Sequence, residues 1–284
     1  MSKKMSFPIS ATEYDQFRQK LEQYCGIMLG ENKEYLITSR LRRLFENEKL
    51  ASLSELTSAM DRNSKLKGLV VDAMTTNETL WFRDDHPFKI FREKLLPELA
   101  KTRRPLRIWS AACSTGQEPY SLSIAIEEFK RANPGALLGD VEIIATDISP
   151  TALAIAKEGV YPQLSLKRGL GDVHLRQYFK QQAEDEWKIN DEIKRRIEFR
   201  SLNLQTNYSL LGKFDIVFCR NVLIYFSADF KMDILKRIHG SLKDDGHLFV
   251  GASEAVSNLS NFYKMQQFNP GISYQAKPVA ARSR

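Results

Sequence analysis

Cysteine is scarce: Cys25, Cys113 and Cys219 are the only three in 284 residues, and no two form a CxxC pair. That spacing argues against a disulfide framework and against a thiolate zinc site. The four histidines, His86, His174, His239 and His247, are equally dispersed. The HExxH spacing of a metalloprotease is missing, and no metal is expected. No apolar run approaches the ~20 residues that span a bilayer, so membrane insertion is not expected. Residues 1–10 lack the apolar core of a secretory signal. Internal repeats and low-complexity tracts are absent too. These absences point to a protein of the reducing cytoplasm.

What is present is an ordinary apolar fraction, 43%, with a formal net charge of +7. The first suffices for one large domain or two modest ones. The second favours an acidic partner, whether nucleic acid, membrane surface or acidic protein, without choosing among them.

Apolar residues recur at three- and four-residue spacing from 12 to about 75, predicting four helices. Their markers are Tyr14, Phe17, Leu21, Tyr24 and Cys25; Leu36, Ile37, Leu41 and Leu44; Leu53, Leu56 and Met60; and Leu66, Leu69, Val70 and Met74. Residues 1–74 are thus expected to form a small all-helical domain. The run Thr75-Thr76-Asn77-Glu78-Thr79 breaks the pattern, because such side chains compete for backbone hydrogen bonds. A linker with a helix around 86–101 is expected over 75–104.

From residue 105 to the end, strands and helices alternate. Strands are expected at 106–110, 141–146, 214–219 and 247–251, with helices at 119–130, 150–158 and 229–242. Such alternation implies an α/β fold with a parallel sheet covered on both faces. Residues 262–268 and 272–275 suit two terminal strands. Between 160 and 204 the rhythm is interrupted. A short helix end at 175–179 and small strands at 187–189, around Ile193 and at 196–199 suggest an inserted β-subdomain, about 172–201. Residues 278–284 read as a loose tail.

Ligands of open α/β sheets bind outside the carboxyl ends of the strands. Four segments end strands there. In Trp109-Ser110-Ala111-Ala112-Cys113-Ser114-Thr115-Gly116-Gln117-Glu118-Pro119-Tyr120, small residues let a nucleotide-like ligand approach the backbone. The run is not GxGxxG, which disfavours a dinucleotide. Asp147 ends the second strand, where an acid can bind both ribose hydroxyls; it can equally cap the helix that follows. Asn203 can contact an adenine edge or simply form a turn. Arg220, Asn221 and Tyr225 follow the buried run 214–219, where a charge, an amide and a phenol suit a ligand better than a core.

Taken in order, these segments resemble the CheR family, the chemoreceptor glutamate methyltransferases of bacterial chemotaxis. The run Thr75 to Thr79 with Leu80-Trp81-Phe82-Arg83, the small-residue turn, Ala145-Thr146-Asp147-Ile148 and Phe218-Cys219-Arg220-Asn221-Val222-Leu223-Ile224-Tyr225-Phe226 carry the likeness. It implies a helical N-terminal domain, a linker, and a Rossmann-like S-adenosylmethionine-dependent methyltransferase domain with an inserted antiparallel β-subdomain. The implied reaction moves methyl from S-adenosylmethionine to receptor glutamates, giving methyl esters and S-adenosylhomocysteine. The implied partner is the cytoplasmic helical region of chemoreceptors, met at receptor arrays. A monomer is expected, and nucleic acid is not an expected substrate. Carried over by position, Asn77, Thr79, Arg83 and Glu118 resemble contacts to the methionine part of the cofactor. Asp147 would take the ribose, Asn203 and Leu204 the adenine, and Arg220 and Asn221 would lie at the fourth strand end. Arg83 and Tyr225 would face the methyl acceptor.

The chain departs from that pattern twice. The insert, Phe179-Lys180-Gln181-Gln182-Ala183-Glu184-Asp185-Glu186-Trp187, has no glycine in its hairpin, which predicts independence from a receptor C-terminal pentapeptide. The basic helix is compressed to Ser39-Arg40-Leu41-Arg42-Arg43-Leu44, leaving Lys33, Arg40 and Arg43 as the receptor-docking candidates. Two other readings share the fold. A nucleic-acid methyltransferase would carry prolines after Asn221, and Val222 stands there instead. A cofactor-sensing scaffold without turnover would have no need of both Arg83 and Tyr225.

Overall fold

A computed structural model describes residues 9–137, 139–254 and 259–278. Four helices open the chain: α1 (Ala11–Cys25), α2 (Glu34–Glu48), α3 (Leu53–Arg62) and α4 (Ser64–Met74). Their ends have local causes. Ser10 and Glu13 form a capping box at the start of α1, and Gly26 ends it in the left-handed conformation. Ser52 and Asn63 cap α3 and α4 through their side chains. Phe17, Leu21, Ile37, Leu41, Leu56 and Val70 are fully buried in the shared core. Leu69, expected on the buried face of α4, is exposed.

The linker leads into α5 (His86–Ile90), a π-helical turn (Phe91–Leu95) and α6 (Leu96–Ala100). One continuous helix was expected here. Pro97 has no N–H, and the wide turn just before it carries the chain past the missing bond, with Leu96 N–H reaching Phe91 O.

The main sheet contains β1 (Leu106–Ala111), β2 (Val141–Asp147), β6 (Ile197–Ser201), β7 (Phe214–Cys219), β8 (Leu242–Val250), β9 (Tyr263–Gln267) and β10 (Ile272–Ala276), in the order β6-β2-β1-β7-β8-β10-β9. The first five strands in that order are parallel and the last two antiparallel. Counted along the chain, the parallel strands stand 3-2-1-4-5, the doubly wound order, which reverses between β1 and β7. Alternate strand residues supply opposite faces. Ile108, Ile143, Ile216 and Phe249 pack with the helical run 86–100 and α7 (Gln117–Ala132). Trp109, Ile144, Val217 and Leu248 pack with α12 (Ala228–Ser241).

α8 (Pro150–Glu158) follows β2 and leads into a second sheet of β3 (Val160–Pro162), β4 (Phe179–Ala183) and β5 (Glu186–Ile189), ordered β3-β5-β4 and antiparallel. Short helices α9 (Gln163–Leu166) and α10 (Asp172–Tyr178) lie between its strands, and α11 (Asp191–Lys194) follows. The boundaries differ from the expected 172–201. The sheet begins at Val160, Ile193 is helical, and β6 belongs to the main sheet, pairing Ile143 with Ile197. The tail expected over 278–284 lies, beyond Pro278, outside the described residues.

Candidate active site

A cavity of about 970 Å3, part of it open to solvent, lies at the β1–β7 switch point. Its walls come from the end of α1, the linker and the carboxyl ends of β1, β2, β6 and β7. Asn77, Thr79, Arg83, Glu118, Asp147, Asn203, Leu204, Arg220, Asn221 and Tyr225 all line it. The three docking candidates do not.

Asp147 ends β2 and is buried. Its Oδ2 accepts the Ser114 N–H at 2.8 Å and its Oδ1 the Ser149 N–H at 2.9 Å. Burial pushes the carboxyl above its ordinary value, against the downward pull of the Ser149, Ser114 and Ile148 N–H donors. Asp147 does not cap α8. Ser149 does, through Oγ to Ala152 N at 3.0 Å, so the carboxylate keeps lone pairs for ligand hydroxyls.

The turn after β1 holds Ala112 at φ 57, Ser114 at φ 52 and Gly116 at φ 95. Two non-glycine residues in the left-handed region cost roughly 1–3 kcal/mol each. They are held by Cys113 N–H to Thr146 O at 2.9 Å and Ser114 Oγ to Asn77 O at 2.9 Å. Gly116 has no alternative, because a Cβ there would lie 2.9 Å from the Ala156 Cβ. Burial pushes the Cys113 thiol far up, and the Asp147 and Glu118 charges add to it. Cys113 is therefore a neutral wall residue rather than a nucleophile.

Arg220 follows β7 directly, with its side chain 1% exposed. Nη1 donates to Glu118 Oε2 at 2.9 Å, and Nη2 to Arg83 O at 2.8 Å and Asp84 Oδ2 at 2.7 Å. Glu118 Oε1 accepts from Ser110 Oγ at 2.7 Å. Arg220 thus joins β7, α7 and the linker, and fixes the backbone of Arg83. Its Nε is buried without a partner. The Arg83 guanidinium is half-buried and donates to Glu78 O at 3.3 Å.

Asn221 follows at φ 58. Glu254, buried beyond β8, holds it there: Oε2 accepts the N–H groups of Asn221 and Gly251, each at 2.7 Å, and Oε1 accepts Ile224 N–H at 3.2 Å. Sequence reasoning missed Glu254. The only signal was a carboxylate a few residues past a strand end. Tyr225 lies in a 3-10 turn, and its carbonyl accepts from Met28 N–H at 2.9 Å, so the helical unit helps to place it.

Two expectations change character. The Asn203 amide is engaged in the fold, donating to Tyr24 O at 2.7 Å and accepting from Gln205 N–H at 2.9 Å. Arg40 donates to Met74 O at 2.6 Å, Thr75 O at 3.1 Å and Thr76 Oγ1 at 2.9 Å. Its guanidinium closes the end of α4 instead of standing free for a partner. Lys33 and Arg43 are exposed.

The cavity offers a carboxylate with free lone pairs, apolar walls from Ile148, Leu202, Leu204 and Phe226, and the polar side chains of Asn77, Thr79 and Arg83. Those residues fit a nucleoside bearing a charged amino-acid end. A doubly wound sheet with an acid ending its second strand and this cavity at its switch point is the layout of a Rossmann-like nucleotide-binding fold, and the match of residues 77–272 to a methyltransferase S-adenosylmethionine-binding domain narrows it to the S-adenosylmethionine-dependent methyltransferase class. The chain belongs to the CheR methyltransferase family. Residues 12–75 match its all-alpha domain and residues 77–272 its S-adenosylmethionine-binding domain. Chemotaxis protein methyltransferase 1 of Pseudomonas aeruginosa is 53% identical over 93% of this chain and 98% of that protein. Chemotaxis protein methyltransferase Cher2 of Pseudomonas putida is 52% identical over the same shares. Chemotaxis protein methyltransferase 1 of Vibrio cholerae is 49% identical over 95% and 98%.

Proposed function

We propose that the protein methylates glutamate side-chain carboxylates of chemoreceptors, forming γ-glutamyl methyl esters and S-adenosylhomocysteine. The observation that carries this reading is one cavity lined by Asp147 at the end of β2 and by Arg83 and Tyr225 from the linker and the β7 end. Bound S-adenosylmethionine supplies an electrophilic methyl on a sulfonium. A glutamate side chain, with an ordinary pKa of about 4.3, is already a nucleophilic carboxylate at neutral pH. No strong base is required, which accords with the absence of histidine and the neutral Cys113 thiol in the lining. The chain's work is alignment and exclusion of water.

Asp147 binds ribose hydroxyls through its free lone pairs. Arg220 holds Glu118 and the Arg83 backbone in place. The Arg83 guanidinium orients the acceptor carboxylate, and the Tyr225 hydroxyl donates to the same group. An orienting contact kept weak in the ground state raises turnover more than affinity. Steady-state kinetics test this division. Arg83→Ala is expected to lower kcat with little change in the KM for S-adenosylmethionine, and Asp147→Ala to raise that KM roughly tenfold or more. The reverse pattern would remove the assignment.

Receptor docking falls to the helical unit through the exposed Lys33 and Arg43. The β4–β5 hairpin turns at Glu184 and Asp185 without a left-handed residue, which supports independence from a receptor tail. Micromolar binding of a receptor C-terminal pentapeptide would overturn that part. The acceptor meets the enzyme in the cytoplasm, and no metal enters the reaction proposed.

A further inference from the structure

The hydrogen bonds that fix Asp147 do not end in the catalytic unit. Ser149, whose N–H binds Asp147 Oδ1, also caps α8 with its hydroxyl oxygen. The same hydroxyl donates to Asp72 Oδ1, and Thr151 Oγ1 donates to Asp72 Oδ2 at 2.6 Å. Asp72 belongs to α4, in the helical unit. Ser149 Oγ accepts as well from Asn77 Nδ2 at 3.4 Å. The carbonyl of Asn77 accepts from Ser114 Oγ at 2.9 Å, and Ser114 N–H is the second donor to Asp147. Of the three backbone N–H groups that act on the Asp147 carboxylate, Ile148 is its chain neighbour, and the other two, Ser149 and Ser114, sit on residues whose hydroxyls bond to α4 or the linker. The Asp72 charge also stands at the first turn of α8, where the helix dipole favours it.

A plain contact between two units would use any surface residues. Here one serine is at once the cap of α8, the partner of Asp72 and a donor to Asp147. Loss of Asp72 leaves the Ser149 hydroxyl free to rotate, loosens the cap and lets its N–H drift from Asp147.

We propose that Asp72 is a positioning residue for the cofactor, acting through Ser149 on Asp147, so that the helical unit contributes to cofactor affinity without touching the cofactor. The proposal rests on the S-adenosylmethionine reading of the cavity. By linkage, cofactor binding tightens the union of the two units by the same factor.

Calorimetric titration of S-adenosylhomocysteine into the full chain tests it. Asp72→Ala is expected to bind about tenfold more weakly, the scale of one charge-assisted hydrogen bond. Its kcat at saturating S-adenosylmethionine should stay within about twofold of wild type. Asp72→Asn, which keeps one acceptor, falls between. Thr151→Val, at an exposed position, shifts affinity in the same direction by less, and it carries the test if Asp72→Ala fails to fold. Asp15→Asn perturbs the helical unit elsewhere, where Asp15 pairs with Arg18 at 3.4 Å, and should leave affinity unchanged. Wild-type affinity in both Asp72→Ala and Thr151→Val would overturn the proposal, as would equal weakening in Asp15→Asn. A wild-type chain that binds no S-adenosylhomocysteine would instead overturn the cofactor reading, and this inference with it.

Discussion

Arg220 places one guanidinium between Glu118, Asp84 and the Arg83 carbonyl, all within 2.9 Å. Removing it leaves Glu118, 12% exposed, without its cation. Breaking a buried pair from one side costs about 3–5 kcal/mol, so Arg220→Ala should lower the urea midpoint by a corresponding amount. Arg220→Lys should not restore it, because one ammonium cannot reproduce the fork that reaches α7 and the linker together. Asp147 behaves differently. Its carboxyl is raised above the ordinary value of 3.8, so the folded chain takes up that proton more readily than the unfolded one. This group's contribution to stability therefore rises as pH falls through its folded value. On the proposed ribose-binding role, ligand affinity moves the other way, since protonation weakens the carboxyl as an acceptor for ribose hydroxyls. Titrating S-adenosylhomocysteine from neutral pH downward should show affinity declining at a higher pH than an ordinary aspartate would give. Asp147 and Arg220 stood out because a charge where an apolar strand ends is out of place in a core, whereas Arg83, in the linker, was singled out only by the family resemblance. Glu254 did not stand out, because its partners are backbone N–H groups up to 33 residues upstream. Arg40 was misjudged for a related reason: charge on a helix face does not reveal a carbonyl already waiting 34 residues away.

The elements that matter most are the two turns after β1 and β7, where non-glycine residues are held at positive φ. Such geometry persists only where neighbours enforce it. Glu254→Ala withdraws the acceptor from three N–H groups. It should cut kcat by at least about tenfold with a smaller effect on the KM for S-adenosylmethionine, since the turn carries Tyr225 and not Asp147. Glu254→Gln should recover only part, its amide placing a donor beside a donor. Gly116→Ala brings a Cβ against α8 at a φ that only glycine tolerates, and should weaken cofactor binding. The alternation of helix and strand was readable because period and length agreed over long segments. The insert was readable as a β-subdomain, but its bounds were not, because three- to five-residue strands carry too little periodicity. The strand at 196–199 had a local signal, but its place as the edge strand β6 of the main sheet is set by distant pairing to β2.

At the scale of the whole molecule, the helical unit is a wall of the site and not a distant appendage. Cys25 and Met74 line the cavity, Met28 fixes Tyr225, and Tyr24 binds Asn203. On the docking proposed above, a receptor held at Lys33 and Arg43 would meet a helical unit that is itself part of the cavity wall. Charge reversal of Lys33 and Arg43 should raise the KM for receptor and blunt its salt dependence, with kcat retained. Equal loss in an uncharged double variant would indicate packing instead of electrostatics. The central claim is the bond that is made. Radiolabelled methyl should pass from S-adenosylmethionine to cytoplasmic fragments of chemoreceptors and be released by mild alkali as methanol, the signature of a carboxyl ester. Label that survives alkali, or cofactor bound with no transfer to any receptor fragment, would contradict the account.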